Sequence, residues 1–372
     1  MSAMAKPSRH IPALDGLRGV AILLVLLWHS FPIMEYFLPG WSGVDLFFVL
    51  SGYLITGRLL ATKGRPDYLS NFYRNRALRI LPLYYSVFIG FLIMIHLFVQ
   101  KKNLPEFSVY TDHWKSFLVF TQNWTFIFDG FPRNGSLIPL WTLAVEEQFY
   151  LVWPFVILLI PSGRARWKIF ASLIVLIMVT RTACYLYYPP SHQFNYYNTF
   201  FRADALIIGS LLCQLHNDNI RSNNKWIRLI ALILLAVVII AGLVLKNLDP
   251  TNLFYGTIGY TLLALFFACI LHLAVTPGVS TIAGFLRLPF LRFCGKISYG
   301  LYLLHEPIIE AAGTKMSVWG VTRWPGHASL INTLSMTVCL LFTFLLATLS
   351  FRYFESFFLR LKSPPTPAEP AH

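Results

Sequence analysis

Long apolar runs alternate along this chain with short polar segments. Ten runs have the length a bilayer needs, at approximately 12–33, 43–61, 80–99, 141–160, 167–187, 197–215, 227–245, 255–275, 297–313 and 329–351. The pattern predicts an all-α membrane protein, a polytopic bundle of about ten transmembrane helices. Trp114–Phe128 is apolar but short, and reads as interfacial or re-entrant. If it crossed, every later helix would reverse.

The polar segments are not alike. Those after the second, fourth, sixth and eighth runs carry Lys63, Arg65, Arg74, Arg76 and Arg79; Arg164, Arg166 and Lys168; Arg221, Lys225 and Arg228; and Arg287, Arg292 and Lys296. Lys6, Arg9, Arg360 and Lys362 join them from the two termini, whereas the first loop and Pro189–Tyr196 hold no lysine or arginine. This bias predicts that both termini are cytoplasmic. The formal charge of +14 therefore reads as membrane orientation rather than nucleic-acid binding.

Composition agrees. Of 372 residues, 56% are hydrophobic and 12% charged, and the mean hydropathy is +0.60. The first run contains Asp15 and Arg18 and lacks a small-residue cleavage site, so it reads as a spanning helix, not a signal peptide. Residues 1–361 are expected to form one transmembrane domain. Residues 362–372 form a tail whose Ser363–His372 part is proline-rich and reads as disordered, with no appended soluble domain. Cys184, Cys213, Cys269, Cys294 and Cys339 sit singly in or beside apolar runs and read as packing residues; no metal site is expected. No internal repeat is evident.

Ionisable residues inside apolar runs are expensive, so each is a functional candidate. Arg18 and His29 share the first run. Eleven positions make about three helical turns, so they fall on one face about 16 Å apart. That is too far for an ion pair but suits two ends of a long ligand. Asp45, just inside the second run, follows a short loop and is expected beside His29, where a carboxylate would orient or charge-stabilise the imidazole. The alternative is that Asp45 caps its helix and His29 is a structural interhelical histidine. Adjacent Glu146 and Glu147 lie in the fourth run and point in different directions, so at least one should face a polar cavity. Arg202 and Asp204 open the sixth run at similar depth; a set of structural ion pairs is the competing reading. On the cytoplasmic side, Arg74, Arg76 and Arg79 lead into Leu81-Pro82, where arginine forks and a helix N-terminus would suit phosphate. An anionic lipid headgroup competes for that role. His305 and Glu306 lie midway along the ninth run. His96 and His272 have no polar company in sequence and read as structural or interfacial.

These motifs resemble the acyltransferase 3 family of integral membrane O-acyltransferases, over Leu14 to about Glu355. The resemblance rests on Leu14-Asp-Gly-Leu-Arg-Gly19 with His29 eleven residues after the arginine, and Gly43-Val-Asp-Leu-Phe-Phe-Val-Leu-Ser-Gly52. It also rests on Arg76-x-x-Arg79, Trp141-Thr-Leu-Ala-Val-Glu146-Glu-Gln-Phe-Tyr150, and Ser298-Tyr-Gly-Leu-Tyr-Leu-Leu-His305, in the family's order. Thr142 stands where the family often has serine. The resemblance implies transfer of an acyl group, usually acetyl from acetyl-CoA, to a hydroxyl of a carbohydrate or another small acceptor in the bacterial cytoplasmic membrane. Arg18, His29, Arg76 and Arg79 match the functional core, and Glu146 and His305 match further motif positions.

The combined expectation is catalysis by His29 with Asp45 and Glu146. Acyl-CoA would be bound as donor substrate, not as a resident cofactor, by Arg18, Arg76 and Arg79. The acceptor would meet Arg202 and His305, with Arg202 or a backbone donor stabilising the oxyanion. His29 would act as general base or as transient acyl carrier. The competing reading is a transporter or exporter of a small polar metabolite or glycan precursor. It explains charges at several depths but not the arginine cluster or the spacing to His29.

Overall fold

The computed structural model describes residues 11–31, 39–99, 105–160, 162–188, 191–220, 222–245, 248–276 and 280–362. Lys6, Arg9, Arg221 and the Ser363–His372 tail lie outside these residues. Among the described residues the chain is helical, without strands: an all-α polytopic membrane protein. Its helices are α1 (Pro12–Ser30), α2 (Gly43–Thr62), α3 (Tyr68–Met94), the short α4 (Ser108–Asp112), α5 (Trp114–Leu118) and α6 (Gln122–Phe128), and α7 (Trp141–Leu159). Then follow α8 (Gly163–Tyr187), α9 (Ser191–Tyr197), α10 (Thr199–Asn217), α11 (Asn224–Leu245), α12 (Tyr260–Val275), α13 (Ser280–Leu286) and α14 (Pro289–Lys296). The last four are α15 (Ser298–Ile308), α16 (Thr314–Arg323), α17 (Ala328–Leu349) and α18 (Ser356–Arg360).

Eight helical segments among the described residues are long and apolar enough to cross a membrane. The other two expected runs are also helical. One is α10, which carries Arg202, Asp204 and Gln214. The other is α15, which continues through a π-helical turn at Ile309–Gly313 into α16. Pro307 lacks the N–H an α-helix needs and lies just before that turn, where a change of helical register accommodates it. Trp114–Phe128 does not form one helix. It folds as α5 and α6 around Phe120, whose φ is +56°.

One expectation is corrected. The third span begins at Tyr68, not near residue 80, and Pro82 lies in its interior. Arg74, Arg76 and Arg79 therefore sit on the body of α3 and have no helix N-terminus beside them. A proline is tolerated there because neighbouring helices can satisfy the freed backbone groups of a membrane helix.

Small residues set the closest approaches. A Cβ on Gly16 would lie 1.9 Å from the Leu286 carbonyl oxygen, and one on Gly19 would lie 2.0 Å from that of Leu291. In return, a Cβ on Gly295 would lie 1.8 Å from the Asp15 carbonyl oxygen. The backbones of α1 and α13–α14 thus touch, as small-residue faces permit in membranes. Gly52 and Gly209 lock α2 to α10 in the same way, against Leu206 and Val49. These helices and α12 form the interior. By contrast, α8 and α11 present mostly exposed apolar side chains, as a lipid-facing rim does.

Candidate active site

The arginines expected to act together do come together. Arg18 of α1 and Arg76 and Arg79 of α3 line one cleft of about 700 Å³, including its open mouth. Ser51 of α2, Thr142, Glu146 and Tyr150 of α7, and Tyr302 of α15 complete its walls. Arg18 also lies 3.8 Å from Asp15, one turn before it. The Arg76 guanidinium stacks 5.3 Å from the centroid of the Tyr150 ring. The Tyr150 hydroxyl donates to Ser51 Oγ (3.1 Å), which donates to Glu146 Oε1 (2.5 Å). Glu146 is therefore held in the arginine cleft and hydrogen-bonded to its wall.

A second cluster forms where α1 ends. His29 Nδ1 lies 2.9 Å from the Val25 carbonyl oxygen and His305 Nδ1 lies 2.8 Å from that of Tyr302. A carbonyl only accepts, so in each neutral ring Nδ1 carries the proton and Nε2 bears a lone pair. Both lone pairs converge on Glu306, whose Oε1 lies 3.6 Å from His29 Nε2 and 4.0 Å from His305 Nε2. The two rings meet edge to face at 5.1 Å. The three ligand atoms lie within 4.8 Å of one another, a spacing that a shared proton or a metal ion can bridge. His305 is fully buried and its Nε2 has no hydrogen-bond partner among the described residues.

Tyr302 connects the two regions. Its side chain lines the cleft while its ring lies 5.7 Å from that of His305. Its hydroxyl lies 2.7 Å from Thr142 Oγ1 and donates to the Pro139 carbonyl oxygen at 3.0 Å. The inner wall of the arginine cleft is thus the neighbour of the histidine cluster.

Two expected assignments are corrected. Asp45 does not orient His29; its Oδ1 accepts from Arg202 Nη2 at 2.8 Å. His29 is oriented instead by a backbone carbonyl, and its carboxylate neighbour is Glu306. Arg202 is fully buried and enclosed by the ring of Tyr260 at 4.1 Å, that of Tyr196 at 5.2 Å, and those of Phe48 and Trp141 near 6 Å. It lies inside a protein-filled cage and has no surface to offer an acceptor. Asp204 is separate again. It accepts from Arg181 Nη1 (2.9 Å) and from Thr261 Oγ1 (2.6 Å). These two pairs follow the reading of structural ion pairs.

Arg181 is a further buried charge of this kind, and its sequence signal is a lone arginine within an apolar run. Glu306 stood in the motif region without an assigned partner. His272, which lacks polar neighbours in sequence, gains them in space: His216 Nε2 at 2.8 Å and Ser222 Oγ at 2.9 Å.

Fold and cleft define a polytopic helical membrane protein with an internal polar site. A family model described as an acyltransferase domain matches residues 11–352, and the chain belongs to the acyltransferase 3 family. Similar proteins include the peptidoglycan O-acetyltransferase OatA of Listeria monocytogenes serovar 1/2a, 30% identical over 371 residues, covering 94% of this chain and 56% of that protein. A Bacillus subtilis (strain 168) protein provisionally named a peptidoglycan O-acetyltransferase is 30% identical over 369 residues, covering 93% of this chain and 54% of that one. A Staphylococcus aureus (strain COL) protein provisionally named an O-acetyltransferase is 30% identical over 321 residues, covering 82% and 52%. This chain spans about half the length of these relatives. No solved structure matches it. It is an integral bacterial membrane protein.

Proposed function

We propose that the chain is a membrane O-acyltransferase domain that moves an acetyl group from cytoplasmic acetyl-CoA to a hydroxyl of a carbohydrate, with a peptidoglycan-type glycan as the first acceptor to test. The observation that carries this reading is the pairing, on α1, of Arg18 in an arginine-lined cleft with His29 in a cluster of two Nε2 lone pairs and one carboxylate. The eleven helical positions from one to the other span about 16 Å. The acceptor class rests on the names of the relatives, and the cytoplasmic side of the arginine end rests on the basic loops.

In this reading Arg18, Arg76 and Arg79 bind the donor's phosphates, and the pantetheine arm runs along the cleft to Tyr302. The thioester then meets His29. One route has His29 Nε2 take the proton of the acceptor hydroxyl as its oxygen attacks the thioester carbon. The C–O bond forms, the C–S bond breaks, and the proton passes to the leaving thiolate. In the other route Nε2 attacks the thioester carbon, the C–S bond breaks and CoA leaves as its thiolate. The acceptor oxygen then attacks the acyl carbon, the C–N bond to Nε2 breaks, and the hydroxyl proton passes to the thiolate. Glu306 serves both. Because it faces the reactive nitrogen rather than Nδ1, it compensates the charge of a protonated or acylated His29 instead of setting its tautomer.

The test uses purified full chain with acetyl-CoA and a soluble glycan acceptor. His29→Ala is expected to bind CoA normally and to lose at least about a hundredfold in transfer. His29→Gln should fare little better, since an amide hydrogen-bonds without accepting the proton. Near wild-type transfer by well-folded His29→Ala protein would refute the assignment. An acyl-protein formed without acceptor, and absent in His29→Ala, would select the second route.

A further inference from the structure

The histidine cluster at the end of α1 turns three acceptors toward one another. From the geometry we infer that His29, His305 and Glu306 form a binding site for a divalent metal ion of the zinc class, and that its occupation blocks acyl transfer. The block rests on the reading of His29 as base or acyl carrier; the binding does not.

Each imidazole spends its one N–H on a backbone carbonyl, His29 on that of Val25 at 2.9 Å and His305 on that of Tyr302 at 2.8 Å. Both Nε2 atoms can therefore only accept, and so can an ionised Glu306. Among the described residues His305 Nε2 has no hydrogen-bond partner, and no lysine or arginine pairs with Glu306, whose charged neighbours are these two histidines. Lone pairs that converge in a buried site without a cation between them are costly.

A proton meets this need poorly. A hydrogen bond between nitrogen and oxygen spans about 2.7–3.2 Å. Glu306 Oε1 stands 3.6 Å from His29 Nε2 and 4.0 Å from His305 Nε2. One proton would also serve only two of the three atoms. A metal ion serves all three at once. The ligand atoms lie within 4.8 Å of one another. A point equidistant from them is then at most about 2.5 Å from each, within a few tenths of an ångström of the about 2.0–2.2 Å that zinc takes with imidazole nitrogen and carboxylate oxygen.

The surroundings suit a metal as well. Carbonyls behind both Nδ1–H groups are the outer-shell arrangement of metal-bound histidines, fixing the tautomer and aiming Nε2 inward. Two imidazoles favour zinc over magnesium and calcium, which take oxygen ligands. Three protein ligands leave a fourth position for water. The His29 side chain is 31% exposed, which gives the ion a way in. The triad contains no cysteine, so the cysteine pattern gave no sign of it. Zinc would occupy the same His29 lone pair that receives the acceptor's proton or the acyl group, and the two uses exclude each other.

The probe is zinc chloride, titrated calorimetrically into tag-free full chain in nanodiscs of zwitterionic lipid. Wild-type protein should bind zinc tightly and ignore magnesium. His305→Ala and Glu306→Gln should each weaken zinc binding at least about tenfold, the loss that even an outer-shell partner can produce. Glu306→Gln keeps the side-chain volume and decides the matter should His305→Ala fail to fold. His216→Ala should bind zinc as wild type does, because His216 and His272 already spend their nitrogens on each other, on Tyr53 and on Ser222. Absence of zinc binding, or binding unchanged in both ligand variants, would overturn the inference and leave the acyl-transfer reading intact. Zinc should also inhibit wild-type transfer, and a chelator should restore it. Zinc bound at the triad with transfer undiminished would overturn the block, and with it the role given to His29 Nε2. Zinc binding that depends on the triad, in protein that transfers nothing even with chelator, would support the site and refute the acyl-transfer reading.

Discussion

Replacing Arg202 with methionine asks whether Asp45 serves chemistry or architecture. The two side chains are fully exposed to protein and not to solvent, joined by one bond of 2.8 Å. The other Asp45 oxygen, Oδ2, has no hydrogen-bond partner among the described residues. Arg202→Met therefore removes the one donor that Asp45 has among the described residues, and leaves a buried carboxylate unpaired. Breaking a buried pair in this way costs about 3–5 kcal/mol. Loss of the guanidinium from the faces of Tyr260 and Tyr196 adds up to about 2 kcal/mol per stacked contact. Asp45→Asn combined with Arg202→Met removes the charge problem altogether. Replacing both members of a buried pair by neutral groups is often close to neutral, so the double variant should recover about 2–3 kcal/mol of the single variant's loss. Equilibrium unfolding in detergent measures the stabilities, and acetyl transfer is normalised to folded protein. The single variant should be strongly destabilised, the double much less so, and the folded fraction of each should keep transfer within a few-fold of wild type. A stably folded Asp45→Asn protein that loses transfer a hundredfold would refute the structural assignment of this aspartate.

Arg76→Ala combined with Arg79→Ala should weaken CoA binding far more than acceptor binding. The corresponding double lysine variant should restore it only in part, because lysine keeps the charge and loses the two-pronged fork; calorimetry with CoA on each variant decides this. Cysteines placed at Ser191 and Ser222 should react with an impermeant label from outside and from inside respectively, and the reversed pattern would overturn the assigned orientation.

The helices were legible because their signal is local: a bilayer demands about twenty apolar residues, and such a stretch is visible in any window of that length. Even the polar interruption of α10 did not hide it. The start of α3 was hidden, since Asn71–Arg79 is polar and Pro82 looks like a boundary. The arginine cleft was legible from its cluster on α3 and from Arg18, whose depth follows from its place on α1. Pairings were not. Asp45 lies 16 residues from His29 in sequence, yet its partner is Arg202, 157 residues away. Glu306 meets His29 only because α1 and α15 pack together, and nothing within either helix specifies that contact. The depth of a polar residue can be read from its helix; its neighbour depends on the helix rotation and order, which only packing decides.

The glycine-backed contact of α1 has a consequence for substrate selection. Gly16 and Gly19 press the first turns of α1 onto the backbone of α13–α14, and no side chain intervenes to yield. The rung that holds Arg18 is thereby anchored, and the rest of the helix fixes how far away His29 stands. With acyl-CoA as donor, α1 acts as a measuring rod: the reach between the phosphate-bearing end and the thioester must equal the reach between arginine and imidazole. Donor analogues with one carbon added to or removed from the pantetheine arm should still dock by their phosphates and fail to deliver the acyl group. Bulk added beyond the thioester, in the acyl chain itself, leaves that match untouched and is limited only by the space around Glu306 and His305.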